Sequence, residues 1–221
     1  MGALLTKTVP LALGAAISPT VLAVGLLILS GTRRPVARGA TFTAGVLAVL
    51  AGLTAVGLTL THHAISGPAK HDPITRAIDG TLGAVLLLLA VATVLRAVTT
   101  DRESAAPPPP ADPEQHASLA AAFLLGAAMM MSNFSTILLY LPAMREISAS
   151  RVDTADKAVV VVVVFVITSL AATLPLLLRV VAPVPASRWF ATMHAFVTRH
   201  QRQIAVVVEV LFGAYLLLKA I

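Results

Sequence analysis

Two long apolar stretches of this sequence are interrupted by residues that disturb helices and offer polar groups. Each interruption follows the same four letters, Leu-Gly-Ala-Ala, at 13–16 and at 125–128. Proline removes a backbone donor, and Ser, Asn and Thr side chains compete for backbone hydrogen bonds, so both sites predict a broken helix. The residues concerned are Ser18, Pro19, Thr20, Ser132, Asn133, Ser135 and Thr136.

Hydroxyl, amide and freed backbone groups inside a membrane can bind a polar ligand. Backbone groups freed in lipid must be satisfied by protein or by a wet cavity. Broken helices at matching places in two halves point to the central site of a transporter. We therefore predict that these seven residues bind substrate. Repair of the broken helices is the alternative role, and the two roles are compatible.

Glu209 lies in the apolar segment 204–221, with three valines before it. An ionised carboxylate is costly there, so it is expected to face the protein interior, pair with a cation or stay protonated. We predict a proton-coupling role. The alternative is a carboxylate near a helix end, since Gln203 lies about two turns away.

An amphipathic pattern covers residues 188–202. Apolar side chains recur there at helical spacing, while Arg188, Arg199 and Arg202 fall mostly elsewhere around the helix. Together with Trp189, these arginines predict a segment at the membrane surface in contact with anionic lipid. The same pattern is also compatible with an extension of the sixth helix out of the membrane.

The composition places all of these residues in a membrane protein. The chain has 221 residues, of which 57 % are hydrophobic and 12 % charged, and its mean hydropathy is +0.90. Cysteine is absent, which excludes disulfides and thiolate metal sites. The net charge of +6 comes from loop arginines, so it indicates anionic head groups and not nucleic acid.

Six apolar segments are long enough to cross a bilayer, at about 4–30, 39–61, 80–98, 118–141, 158–181 and 204–221. Four prolines at 107–110 predict an extended linker over 99–117, between repeats at 1–98 and 118–221. Three spans per half give the halves opposite orientations. We thus predict an all-α integral membrane protein of six transmembrane helices, arranged as two inverted three-helix repeats with broken first and fourth helices.

Small residues recur every fourth position in the second span and allow close helix approach, within one subunit or in a homodimer. They are Ala44, Ala48, Gly52 and, separately, Ala51 and Ala55. No nucleotide-binding or hydrolase motif is present. We therefore predict no enzyme activity, no cofactor and no bound metal.

The segment 16–20 (Ala-Ile-Ser-Pro-Thr), the basic link 31–35 (Gly-Thr-Arg-Arg-Pro) and the small-residue second span resemble the lysine-exporter superfamily. Ser18-Pro19, the basic link, the Pro-rich linker and Ser132-Asn133 most resemble the actinobacterial GAP family, also called sulfolipid-1-addressing proteins. The resemblance implies export of glycolipids to the cell surface. Ser18-Pro19-Thr20 replaces the Pro-Gly-Pro motif of amino-acid exporters, which argues against an amino-acid substrate.

These observations predict a multi-pass protein of the bacterial cytoplasmic membrane that exports a lipid or glycolipid-type substrate, as a secondary transporter or transport factor. Its expected partners are membrane lipids and the substrate, with a homodimer or a lipid-export machine as further possibilities. One alternative is a proton-coupled exporter of a small cationic metabolite or metal ion. The other is a non-transporting scaffold subunit of a lipid-export machine.

Overall fold

The computed structural model describes residues 1–31, 34–64, 73–100 and 118–220, without the side chains of 60–64, 73–79, 82, 96–100, 183–188, 191, 219 and 220. The described residues form helices joined by short links, which confirms the all-α class for this part of the chain. The helices are α1 (Gly2–Ala16), α2 (Pro19–Ser30), α3 (Pro35–Ala64), α4 (Pro73–Thr100), α5 (Leu119–Met131), α6 (Phe134–Ala149), α7 (Thr154–Val181) and α8 (Pro183–Ala220). Residues 101–117 of the predicted linker lie outside the described residues, so the division into two repeats stays a prediction.

Each predicted interruption separates two helices that are bent sharply against each other. The bend is 53° between α1 and α2 and 70° between α5 and α6. At the first break Ser18 is extended, its side chain accepts a hydrogen bond from the Val21 amide, and Pro19 is the first residue of α2. At the second break Asn133 accepts from the Thr136 amide. A capping side chain or a proline at the first position starts a new helix, which explains both breaks.

Several helices are long and apolar enough to cross a membrane. Among the described residues, three single helices pass this test: Pro35–Thr59, Thr154–Val181 and Thr192–Leu218. Each broken pair adds one span if it is counted as a unit, which gives up to five. The apolar part of α4, Gly83–Leu95, is shorter. The protein is thus a multi-pass membrane protein, while six spans in two inverted repeats stay a prediction.

The C-terminal helix is longer than the sequence predicts. Residues 183–220 form one helix of 38 residues, where we expected a surface segment and a separate span from 204. Phe190 and Val197 are buried, and His194 Nδ1 lies 3.0 Å from the Ala23 carbonyl oxygen of α2. These contacts hold the N-terminal half of α8 against α2. The amphipathic segment is therefore continuous with the last helix, while its position relative to the membrane stays a prediction.

Two helices pack closely at glycines that lie outside the predicted small-residue stripe. Gly45 of α3 lies against the backbone of α5 at Phe123, and Gly126 of α5 lies against the backbone of α3 at Phe42. By contrast, the residues of the stripe are all exposed in the single chain: Ala44, Ala48, Ala51, Gly52 and Ala55. A homodimer through the stripe stays a prediction.

A second crossing at glycines joins α4 to α8. Gly83 lies against the Gly213 carbonyl oxygen, and Gly213 lies against Gly83 and Leu87. The absence of side chains at both positions allows the two backbones to approach closely. This crossing brings the buried face of α8, which includes Glu209, against α4.

The crossing of α3 and α5 makes one testable prediction. Gly45→Ala places a methyl group against the carbonyl oxygen of Phe123, so the helices must move apart. We expect the free energy of unfolding in mixed micelles to fall by about 1–3 kcal/mol, the usual cost of overpacking. Gly52→Ala on the same helix is the control, because its methyl group meets no atom within 4 Å. An equal loss of stability in both variants would contradict the packing described here.

Candidate functional site at the two helix breaks

The two breaks lie directly against each other. The Asn133 Nδ2 atom donates a hydrogen bond of 2.6 Å to Ser18 Oγ, which joins residues 115 positions apart in the chain. Ser18 is buried. The sequence predicts one central site at the two breaks, and the structure brings the two breaks into contact at this polar junction.

The junction depends on Asn133, because both the oxygen and the nitrogen of its side-chain amide form hydrogen bonds. Its Oδ1 atom accepts from the Thr136 amide at 3.3 Å and from Ser135 Oγ at 3.1 Å, which caps α6. Its Nδ2 atom donates to Ser18. Ser18 Oγ also accepts from the Val21 amide at 3.4 Å and lies 3.5 Å from Thr20 Oγ1.

The first break is completed by a side chain from the second half of the chain. Helix α1 ends at Ala16, so its last carbonyl groups lose their intrahelical partners. The Gly14 and Ala16 carbonyl oxygens accept from the amides of Ile17 and Ser18. The Ala15 carbonyl oxygen accepts from Thr136 Oγ1 at 3.0 Å. This bond and the Asn133–Ser18 bond hold α6 against the end of α1.

The second break is satisfied by its own residues. The Ser132 amide and hydroxyl both donate to the Ala128 carbonyl oxygen, at 2.9 and 2.8 Å. The Asn133 amide donates to the Met130 carbonyl oxygen. Ser132 is exposed, and its hydroxyl is directed back along α5. Of the seven predicted site residues, the structure groups Ser18, Pro19, Thr20, Asn133, Ser135 and Thr136, and it leaves Ser132 at the edge.

An apolar cavity of about 330 Å³ leads away from the first break. Its walls come from α2, α7 and α8, and Ser18 lines one end of it. Apart from Ser18 and the indole of Trp189, the lining side chains are apolar. The volume is within the range of small-molecule sites. The α7 wall was not predicted, because apolar residues dominate the sequence of α7 and do not mark the side that lines a cavity.

Glu209 is buried but lies apart from the junction. Its side chain is 7 % exposed, and Thr93 of α4 forms a hydrogen bond with it. Its Oε2 atom has no hydrogen-bond partner among the described residues. Along α8, Glu209 lies between Ile204, which lines the cavity, and Phe212, whose ring packs on Gly14 just before the first break. The structure therefore connects Glu209 to the break through α8 and not through a direct contact.

The four predicted membrane-surface residues lie between positions 188 and 202 of α8. Trp189, Arg199 and Arg202 are exposed, and Trp189 borders the cavity. The side chain of Arg188 is outside the described residues. Their contact with a membrane surface stays a prediction.

The Asn133–Ser18 bond is testable by a double-mutant cycle. Asn133→Ser keeps a good helix cap and removes the amide nitrogen that donates to Ser18, while Ser18→Ala removes the acceptor. We expect the two changes in the free energy of unfolding to be non-additive by about 0.5–1.5 kcal/mol, the net worth of one hydrogen bond. Unfolding in mixed micelles measures it. Simple additivity would show that the two breaks are not coupled.

The comparisons with known proteins agree with the resemblance found in the sequence. A family model described as Sap, sulfolipid-1-addressing protein, matches residues 8–221, which is nearly the full chain. No curated protein and no solved structure gives a significant match. Since the family model covers far more than half of the sequence, the chain belongs to the sulfolipid-1-addressing protein family.

Proposed function

We propose that this protein exports a lipid or glycolipid-type substrate across the bacterial cytoplasmic membrane, as a secondary transporter or transport factor. The observation that carries the proposal is the junction of two broken helices at the end of an apolar cavity. The family name, which refers to the addressing of a sulfolipid, supports a lipid as the substrate class.

The geometry suits a molecule with a polar and an apolar part. The cavity offers an apolar surface to hydrocarbon, and Ser18 at its end offers a hydroxyl. Asn133 and Thr20 supply further polar groups next to this hydroxyl. A polar head that replaces the Asn133–Ser18 bond would leave no buried group unsatisfied, so exchange between the two states costs little. In this proposal the substrate opens the junction as it passes.

The proposed energy source is a proton at Glu209. A buried carboxylate with one unpartnered oxygen can accept a proton without losing an existing hydrogen bond at that oxygen. Because α8 carries Glu209, Ile204 and Phe212 on one continuous helix, a shift of α8 against α4 would move the cavity wall and the contact at Gly14 together. We propose this shift as the link between proton binding and the junction.

The proposal is tested by mass spectrometry of lipids extracted from the cell surface of the native host. We compare a deletion strain with strains complemented by wild type, Ser18→Ala and Ser30→Ala. Ser30 is the control because its hydroxyl bonds to its own helix at the far end of α2. We expect deletion to remove one lipid class from the surface, wild type and Ser30→Ala to restore it, and Ser18→Ala to reduce it at equal protein abundance. Unchanged surface lipids in the deletion strain would refute lipid export.

The substitution Glu209→Gln distinguishes proton-coupled export from a non-transporting scaffold role. The amide keeps the size of the side chain and its bond with Thr93 but cannot cycle a proton. We expect surface lipid to fall to the level of the deletion strain if export is proton-coupled, because the amide cannot take up and release the proton that drives transport. Glu146→Gln is the control, because its carboxylate pairs with Lys7 of α1 and does not line the cavity. Wild-type export by Glu209→Gln would favour the scaffold.

The proton-coupled exporter of a small cationic metabolite or metal ion is the second candidate. The observation that favours it is the unpartnered oxygen of Glu209. It predicts transport of a soluble cation by the protein in liposomes made without host lipids. The apolar lining of the cavity favours the lipid substrate over this candidate.

A further inference from the structure

Arginines gather beside the end of the cavity that is farther from Ser18. Gly39, near the start of α3, packs against Leu29 of α2 and Leu176 of α7. Leu29 and Leu176 also pack with Phe190, which lines the cavity. Arg38 precedes Gly39 directly, and Arg34 lies one turn earlier. The start of α3, which has Arg34 directly before it and carries Arg38, therefore lies near the helix ends at this end of the cavity.

The positive charge at this end has no acidic counterpart in the neighbouring sequence. Residues 28–40 and 170–200 contain no aspartate and no glutamate. Arg34 is exposed, and the buried Nε atom of Arg38 makes no hydrogen bond among the described residues. Arg179, which has a contact of its own, adds a third charge directly after the cavity residue Leu178. Such a cluster attracts an anion.

The apolar cavity is elongated and open along one side, so we also call it the groove. Its α7 wall runs from Leu170 to Leu178, about 12 Å at the rise of a helix, and its α8 wall from Trp189 to Ile204, about 22 Å. Its rim is exposed at Leu174 (49 %) and Trp189 (64 %). In a multi-pass membrane protein, exposed apolar side chains of this kind face lipid. A hydrocarbon chain can therefore enter from the side.

We propose that this groove binds one acyl chain of an anionic phospholipid of the surrounding bilayer, with the phosphate of the head group held by Arg34 and Arg38. The length of the apolar walls suits an acyl chain. The positive charge of the arginines at one end favours a negative head group over a neutral one. Bidentate geometry makes guanidinium groups good phosphate ligands. The inference concerns the same cavity as the proposed function but does not depend on it, because a bilayer phospholipid can occupy the cavity when no exported lipid is bound.

The chain contains its own probe for this site. Trp189 is the one tryptophan of the sequence and lines the groove. Bromine atoms on an acyl chain quench tryptophan fluorescence at contact distance. The full-length protein in phosphatidylcholine vesicles is therefore mixed with a small fraction of either phosphatidylglycerol or phosphatidylcholine that carries brominated chains.

We expect brominated phosphatidylglycerol to quench Trp189 more than the same fraction of brominated phosphatidylcholine. Each arginine replaced in Arg34→Gln and Arg38→Gln should lower this preference about fivefold, and Arg38→Lys should retain part of it. Arg151→Gln is the matched control, since Arg151 is an exposed arginine in the link between α6 and α7. Equal quenching by the two lipids, or a preference that survives loss of both arginines, would overturn the proposal.

If an arginine variant does not fold, a salt titration of the wild-type protein tests whether its preference for phosphatidylglycerol is electrostatic. A preference that depends on the arginines must weaken as ionic strength rises. A preference that is constant with salt would overturn the proposal. Neither outcome bears on export, because surface lipids are measured separately with Ser18→Ala.

Discussion

Every backbone group that is freed where a helix breaks inside a membrane must be satisfied by another group of the protein or by water in a cavity. This constraint organises the centre of the molecule. The hydroxyl of Thr136 satisfies the Ala15 carbonyl oxygen, and the amide of Asn133 satisfies both the start of α6 and the hydroxyl of Ser18. Through these bonds α6 closes against the end of α1, and the surrounding helices pack around that contact.

The remaining helices position this junction by close backbone contact. Glycines at 45 and 126 let α3 and α5 approach, and glycines at 83 and 213 do the same for α4 and α8. Large apolar side chains are then left on the outer surface, where lipid replaces water as the solvent. The apolar cavity then begins at the polar junction of the two breaks.

The sequence could predict the breaks, since proline and capping residues act locally. Ser18-Pro19 and Asn133 start new helices whatever surrounds them. It could not predict which partner each group finds. The bond of Glu209 with Thr93 follows from the crossing of α4 and α8, and the exposed stripe at Ala44, Ala48 and Gly52 has the same spacing as a packed one. Likewise, the pattern from 188 to 202 fits a surface helix and a helix extension equally well.

The backbone groups at the first break need a partner that is distant in the sequence, whereas those at the second break do not, and this difference has a consequence for biogenesis. The second break uses only residues 128–136, so it can form as soon as that segment has entered the membrane. The first break leaves the Ala15 carbonyl oxygen without Thr136 until the ribosome has made more than 120 further residues. Until then, the Ala15 carbonyl oxygen must form its hydrogen bond with water, a lipid head group or the insertion machinery. Both breaks are consequently completed at the same stage of synthesis, once Thr136 has entered the membrane, although they lie 115 positions apart in the chain.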